Sequence, residues 1–217
     1  MGALRGMSKK ACVLASGGFD SCVLIADLLE RGFVVHPFYV SSGFYWEKAE
    51  LHWLRRFLAA LKASRLKPLT VAETPMRWIM GRHWSLTGKG VPSSRAAWDS
   101  VYLPGRNLLL LSQAGVYAAT HGIPLVLLGV LRGNPFADSK PRFLKGMESA
   151  INDALGSRLK VEAPYTKLGK KEVARLAASL AERFPLELTF SCLRPRGVKP
   201  CGKCSKCAER RAGLPAG

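Results

Sequence analysis

Short apolar runs alternating with longer helical stretches constrain this chain more than any other feature. Residues 11–15, 33–40, 67–72, 125–129 and 159–163 are each too short for a core helix. Gly, Pro or charged residues bound them, so they read as strands. Between and after them lie helical patterns. Residues 21–31 stop at Gly32, and residues 47–61 carry Leu51, Leu54, Leu58 and Leu61 at helical spacing. Residues 106–120 form a long apolar pattern, and residues 143–155 follow Pro141. Residues 170–183 place Val173, Leu176, Ala177 and Leu180 on one face. Strands that alternate with helices build a mostly parallel sheet covered on both faces. The expected fold is therefore α/β, a Rossmann-like, five-stranded, mostly parallel sheet flanked by helices. Pro37 is expected to weaken the later half of the second strand. Such sheets bind ligands at the carboxyl ends of their strands, so the loop after the first strand is the place to look.

A chain of 217 residues suits one compact domain with at most a small appendage, and 48% apolar content excludes a disordered chain. No apolar run reaches the roughly 20 residues of a membrane span. Residues 1–10 hold no apolar h-region, so a cytoplasmic protein with no membrane partner is expected. Residues 73–104 fit no clean period. Trp78, Trp84 and Trp98, with Gly81, Gly88 and Gly90, mark a lid or insert over a ligand, or a surface hairpin with its own apolar cluster. Lys plus Arg outnumber Asp plus Glu by 33 to 15, a net charge of +18. Such a balance favours contact with phosphates or polyanions, or reflects basic residues spread over the whole surface.

Ser16-Gly17-Gly18-Phe19-Asp20-Ser21 joins the first strand to the first helix. Two glycines allow a tight turn and a close backbone approach. The helix start supplies free N–H groups and the positive end of a dipole, and Ser16 and Ser21 add hydroxyls. Together they make an oxyanion or phosphate cradle, assigned to Ala15, Ser16, Gly17, Gly18, Phe19, Asp20 and Ser21. No Lys follows, so this is not a Walker-type loop, nor is it the dinucleotide fingerprint. A carboxylate in an anion cradle repels phosphate unless a cation stands between them. Asp20 is therefore expected to place Mg2+ on a polyphosphate.

Four of the six cysteines fall near the end, as Cys192, Cys201, Cys204 and Cys207. Four thiolates are the usual complement of a closed tetrahedral Zn2+ site, with Gly202 allowing the turn between ligands and nearby Lys and Arg favouring the thiolate. An iron–sulfur cluster is the competing reading. With no position left open, the site is expected to be structural. Cys12 and Cys22 read as small buried apolar residues.

The loop S-G-G-x-D-S resembles the pyrophosphate loop of the ATP pyrophosphatase (PP-loop) superfamily, which implies an adenine nucleotide alpha hydrolase-like fold and ATP as substrate. The tail, with Glu187-Leu-Thr-Phe-Ser-Cys192, Lys199-Pro-Cys-Gly-Lys-Cys-Ser-Lys-Cys207 and Arg210, resembles the end of 7-cyano-7-deazaguanine synthases. Tyr102-Leu-Pro-Gly-Arg-Asn107 resembles that family's F-V-P-G-R-N segment, and Phe136-Ala-Asp-Ser-Lys-Pro-Arg-Phe143 its Y-P-D-C-R-P-E-F segment. Leu159-Lys-Val-Glu-Ala-Pro164, Leu168 and Lys171-Glu172-Val173 resemble a further run, so the likeness extends from about residue 10 to 213. Departures mark a divergent branch. Residues 39–50 read Y-V-S-S-G-F-Y-W-E-K-A-E where the family has D-Y-G-Q-R-H, and Ser139 and Lys140 replace Cys and Arg. Lys140 gives up the bidentate fork of an arginine.

The resemblance implies a C–N bond-forming ligase. It would convert 7-carboxy-7-deazaguanine and ammonia to 7-cyano-7-deazaguanine through adenylated intermediates, for queuosine or archaeosine precursors. Asp20, Ser21, Arg106 and Lys167 are the expected catalytic residues, the last two neutralising phosphate or adenylate charge. Asn107, Asp138 and Lys140 are the expected contacts to the base, with Asp138 accepting from its guanine-like edge or, alternatively, capping the helix before Phe143. ATP, Mg2+ and Zn2+ are the implied cofactors, and a homodimer is the implied assembly. The expected division is an ATP-binding domain at residues 1–190 and a zinc-binding tail at residues 191–217 packed on it. The alternatives are a PP-loop enzyme that adenylates tRNA or another macromolecular acceptor, and a non-catalytic zinc-ribbon adaptor for nucleic acid.

Overall fold

The computed structural model of the protein describes residues 9–180 and 184–213. Strand β1 (Lys10–Leu14) leads into helix α1 (Phe19–Glu30), and β2 (Val34–Ser41) into α2 (Glu47–Ala60). After β3 (Thr70–Glu73) come two single-turn helices, α3 (Arg77–Met80) and α4 (Trp84–Thr87), and a 3-10 turn at Trp98–Val101. The second half runs α5 (Arg106–Thr120), β4 (Leu125–Leu127), α6 (Pro141–Leu155), β5 (Lys160–Glu162), α7 (Lys170–Ser179) and α8 (Ser205–Gly213). The sheet order is β3-β2-β1-β4-β5, and every pairing is parallel. Each strand expected from the apolar runs is present. No helix among the described residues is long and apolar enough to cross a membrane. Most of the 1–10 stretch and the 181–183 end of the last predicted helix lie outside the described residues.

The buried alternation of the central strands explains why they read as continuous apolar runs. Ala11, Val13 and Ala15 pack into a cluster with α1, α2 and α7, while Cys12 and Leu14 pack on the other face with α5 and α6. β4 divides in the same way, Leu125 and Leu127 to the first face and Val126 and Leu128 to the second. A strand buried on both sides has no polar face to show. Glu148, buried on α6, ties that helix to β5: it accepts the Val161 N–H at 2.9 Å and faces Lys145 and Lys160 at 2.9 and 3.1 Å.

Pro37 does not interrupt β2, but it shortens β3. Val35 donates its N–H to Arg65 O, so Pro37, two residues on, faces the same neighbour with no N–H to give. The ladder lapses there and resumes at the Phe38–Thr70 pair, so β3 starts at Thr70 rather than at the predicted Lys67.

A third apolar cluster sits beyond the carboxyl ends of the strands. It joins Phe44, Trp46 and Ala49 to Met76 and Leu103 of the 73–104 segment and to Phe190, Leu193 and three of the tail cysteines. Ser93 and Cys204 form a backbone bridge within it. The segment without sequence periodicity is thus tied to the cysteine tail through the backbone, with Ser205 N–H donating to Pro92 O at 3.4 Å, and to the 44–46 loop by rings, with Trp46 5.0 Å from Phe44 and 5.7 Å from Trp84.

Candidate active site

A cleft of about 820 Å³ opens at the carboxyl ends of the strands. Its floor is the turn between β1 and α1. Gly17 has φ +72°, and a β-carbon there would lie 3.2 Å from Glu50 O and 3.3 Å from Leu54 Cβ, so α2 closes directly onto the turn. Ser21 Oγ donates to Gly18 O at 3.0 Å and accepts the Ser16 N–H at 3.3 Å, while Ser16 Oγ accepts the Gly18 N–H at 3.3 Å. The two hydroxyls are thereby fixed inside the turn. Gly18 is the N-cap of α1 and has no side chain to cap it, which leaves the first N–H groups of the helix for a ligand.

A chain-distant cation stands over this turn. Lys170 Nζ lies 2.7 Å from Asp20 Oδ1 and 5.1 Å from the Phe19 ring centroid. The other Asp20 oxygen takes no hydrogen bond from the described residues. Lys170 and Lys171 both line the cleft, whereas Lys167, expected there from sequence, does not; its carbonyl accepts from Arg132 instead. Two lysines in the first turn of α7 oppose the helix dipole, a sequence signal that points to a nearby anion.

Arg106 is the first residue of α5, and its guanidinium lies 5.8 Å over the Phe44 ring. Its Nε is buried and has no hydrogen-bond partner. A desolvated donor of this kind costs stability until an acceptor meets it. The site therefore fits an anionic ligand such as a phosphate or carboxylate.

Asp138 is 8% exposed and lines the same cleft. It caps a helix, but that helix is α5 and not α6. Its Oδ2 accepts the Asn107 N–H at 3.2 Å, and Asn107 Nδ2 donates to Asp138 O at 2.9 Å. The N-cap of α5, Gly105, has φ +68° and no side chain, so the carboxylate supplies the missing acceptor. Lys140 lies outside the cleft lining, exposed, with Nζ 2.7 Å from Asn134 O. Tyr102 and Phe136 stack 5.0 Å apart along the cleft and complete an aromatic wall with Trp46 and Trp84.

The four tail sulfurs converge, all within 4.8 Å of one another, with separations of 3.5 to 4.0 Å among those in direct contact. Tetrahedral zinc at about 2.3 Å from each sulfur sets them about 3.8 Å apart, so the donor set fits the ion. Backbone N–H groups of Arg194 and Cys201 donate to Cys192 Sγ, and that of Leu193 to Cys204 Sγ, which favours thiolates. Hydrogen bonding with Cys192 and Cys207 holds the Cys204 thiol far below the usual range. Cys12 is the opposite case: burial pushes its thiol up to about 12, as expected of a small core residue. From the same tail, α8 carries Arg210 to the cleft, where it donates to Thr189 Oγ1 at 2.7 Å and Leu186 O at 3.2 Å.

Gly129 shows how tightly the turn is held. A β-carbon there would sit 3.2 Å from both Asp20 C and Ser21 N, which are backbone atoms with nowhere to go. Gly129→Ala should lower the ATP-dependent activity that the S-G-G-F-D-S resemblance implies about 10- to 100-fold, because small misplacements of reacting groups are costly. The check is steady-state kinetics beside a thermal melt.

Comparison with known proteins agrees with this geometry. The family model described as queuosine biosynthesis protein QueC matches residues 10–216. The 7-cyano-7-deazaguanine synthase of Anaeromyxobacter sp. (strain Fw109-5) is 32% identical over 220 residues, covering 95% of this chain and 92% of that protein. The enzyme of the same name from Leptospira interrogans serogroup Icterohaemorrhagiae serovar copenhageni (strain Fiocruz L1-130) is 30% identical, covering 95% of this chain and 87% of its own. Among solved structures, a 4-thiouridine synthetase in complex with RNA and ATP shares the fold. Its TM-score is 0.53 at 20% identity, over 93% of this chain and 49% of that one. With the turn, the cleft and the cysteine cluster in place along the whole matched length, the chain belongs to the QueC family of queuosine biosynthesis proteins.

Proposed function

We propose that this chain uses ATP to adenylate the carboxylate of 7-carboxy-7-deazaguanine and passes the acyl group to ammonia. A second activation then yields 7-cyano-7-deazaguanine, a queuosine precursor. One observation carries the reading. A phosphate-type turn, an unpartnered guanidinium N–H and an aromatic wall bearing a carboxylate open into a single cleft, in a chain matched to the family from residue 10 to 216.

The chemistry asks for little beyond placement and charge. A carboxylate oxygen leaves poorly, whereas AMP leaves with its bonding electrons on a phosphate oxygen. The protein has to hold ATP and the carboxylate in line and stabilise the charge that develops. Ser16 to Ser21 hold the departing pyrophosphate with helix N–H groups and two fixed hydroxyls. Arg106 and Lys170 supply positive charge, Lys170 in the role expected for Lys167. Mg2+ would be held by Asp20 and would neutralise phosphate charge. Zn2+ would be held by Cys192, Cys201, Cys204 and Cys207, where it would cross-link the tail. The third apolar cluster supports a domain at residues 1–190 with the 191–217 tail packed on it and the 73–104 segment beside the cleft. A cytoplasmic location and the homodimer implied by the resemblance belong to the same proposal.

The experiment is pyrophosphate release with Mg-ATP, with and without the carboxylate base. Release that depends on the base is expected; release indifferent to it would contradict the reading. Asp138→Asn keeps the α5 cap and removes the charge. It should raise KM for the base about 10-fold, the worth of one charged hydrogen bond, while KM for ATP stays the same. Parallel titration of the two substrates measures this.

A further inference from the structure

Glu50 is a carboxyl group that adenylation leaves without a task. It lies on α2, and its backbone carbonyl packs against Gly17 of the turn, while its side chain opens into the cleft. Tyr39, at the end of β2, donates to Glu50 Oε2 at 2.9 Å. The other oxygen takes no hydrogen bond from the described residues. The remaining carboxylates of the cleft are engaged by cations or backbone. Asp20 pairs with Lys170, Glu209 pairs with Lys206 at 2.7 Å, and Asp138 caps α5. Nearby Glu47 is spent on Ser41 Oγ and the N–H groups of Ser42 and Gly43. Glu50 alone among them meets neither a cation nor a backbone N–H at hydrogen-bond distance.

We infer that Glu50 accepts the proton of the incoming ammonia as it attacks the adenylated carboxyl carbon; this deepens the function proposed above and rests on it. In this step the C–N bond forms and the acyl C–O bond to AMP breaks. The bonding pair leaves on the phosphate oxygen of AMP, and the proton shed by nitrogen passes to the Glu50 carboxylate, which returns it to solvent. Acceptors work best when they change charge near the working pH. Burial pushes the Glu50 carboxyl up to about 7, against the lowering pull of Arg106 from α5 and the Tyr39 hydroxyl from β2, with Glu47 on its own helix adding to the rise. The ionised form is the active one, so transfer grows as pH rises through about 7 and fades below it.

The test separates the two halves of the reaction. Pyrophosphate release reports adenylation, and incorporation of nitrogen from ammonium reports transfer. Glu50→Gln should lose about 100-fold in transfer, and far less in the first, pre-steady-state turnover of pyrophosphate release. Hydroxylamine, whose nitrogen sheds its proton more readily once it has attacked, should narrow that gap. Tyr39→Phe removes a donor that favours the ionised carboxyl, so the acidic limb of the transfer profile should move to higher pH. Equal losses in both halves for Glu50→Gln, or a limb that stays in place in Tyr39→Phe, would overturn the inference. Wild-type protein that releases no pyrophosphate would overturn the adenylation reading itself, a separate result.

Discussion

Asp20→Asn is expected to cut pyrophosphate release about 1000-fold, or about 4 kcal/mol of barrier, while the protein stays folded. The asparagine keeps the shape of the side chain and removes its charge. That charge has two tasks. One carboxylate oxygen holds Lys170 over the turn at 2.7 Å, and the other is free for a cation on the phosphates. Lys170→Met separates these tasks. If Asp20 served only to aim Lys170, the two single variants and the double variant would lose the same activity. If both act on the phosphates, each contributes a part, and the double variant falls below either one. Both side chains are about one-quarter exposed, so the pair adds little to stability, and the melting temperature should move by only a few degrees. Unchanged pyrophosphate release in Asp20→Asn would remove the residue from the mechanism.

Cys204→Ser is expected to cost more than any core substitution. Structural zinc binding releases about 10 kcal/mol or more, and in small sites that free energy is folding free energy. Cys204 is buried in the cluster that joins the tail to the 73–104 segment, and Leu193 and Phe190 of that cluster line the cleft. Loss of the ion should therefore lower the melting temperature by well over 10 °C, consistent with a loss of several kcal/mol in a domain of this size, and activity should fall with it. Metal analysis of the purified variant should find none, while the wild type carries about one zinc per chain. Cys12→Ala, which touches no other sulfur, should keep the metal and most of the stability. A Cys204→Ser protein that melts like the wild type would show that the four thiols hold no structural ion.

The parts read most directly from sequence are those whose signal is local. The S-G-G-F-D-S turn is a run of six residues, and its geometry follows from its glycines and its place between strand and helix. The cysteines are close in sequence, and the fold only gathers them. The parts that escaped are made by contacts between distant positions. Lys170 reaches Asp20 across 150 residues, whereas Lys167, the lysine expected there, lies just before the helix whose first two lysines line the cleft. Glu50 carries no motif of its own; only the contact between α2 and Gly17 brings it to the turn. Asp138 reads from sequence as a cap for the helix that follows it, yet it caps α5, whose second residue, Asn107, lies 31 residues earlier. Lys140 was read from its place in a segment, and the fold turns it outward. The short helices α3 and α4 are single turns, α4 held by the packing of Trp84 on Trp46, and both are too brief for any period to show. α8 lies within the cysteine tail, where the metal-ligand spacing masks its helical pattern.

The most direct test of the whole account is a mass-spectrometric assay of one reaction mixture: purified protein, Mg-ATP, 15N-labelled ammonium and 7-carboxy-7-deazaguanine. The expected products are 7-cyano-7-deazaguanine carrying the label in its nitrile, together with AMP. AMP without labelled nitrile would contradict the substrate and turn attention to a macromolecular acceptor such as tRNA. No AMP with any carboxylate or tRNA tried would contradict the enzyme altogether.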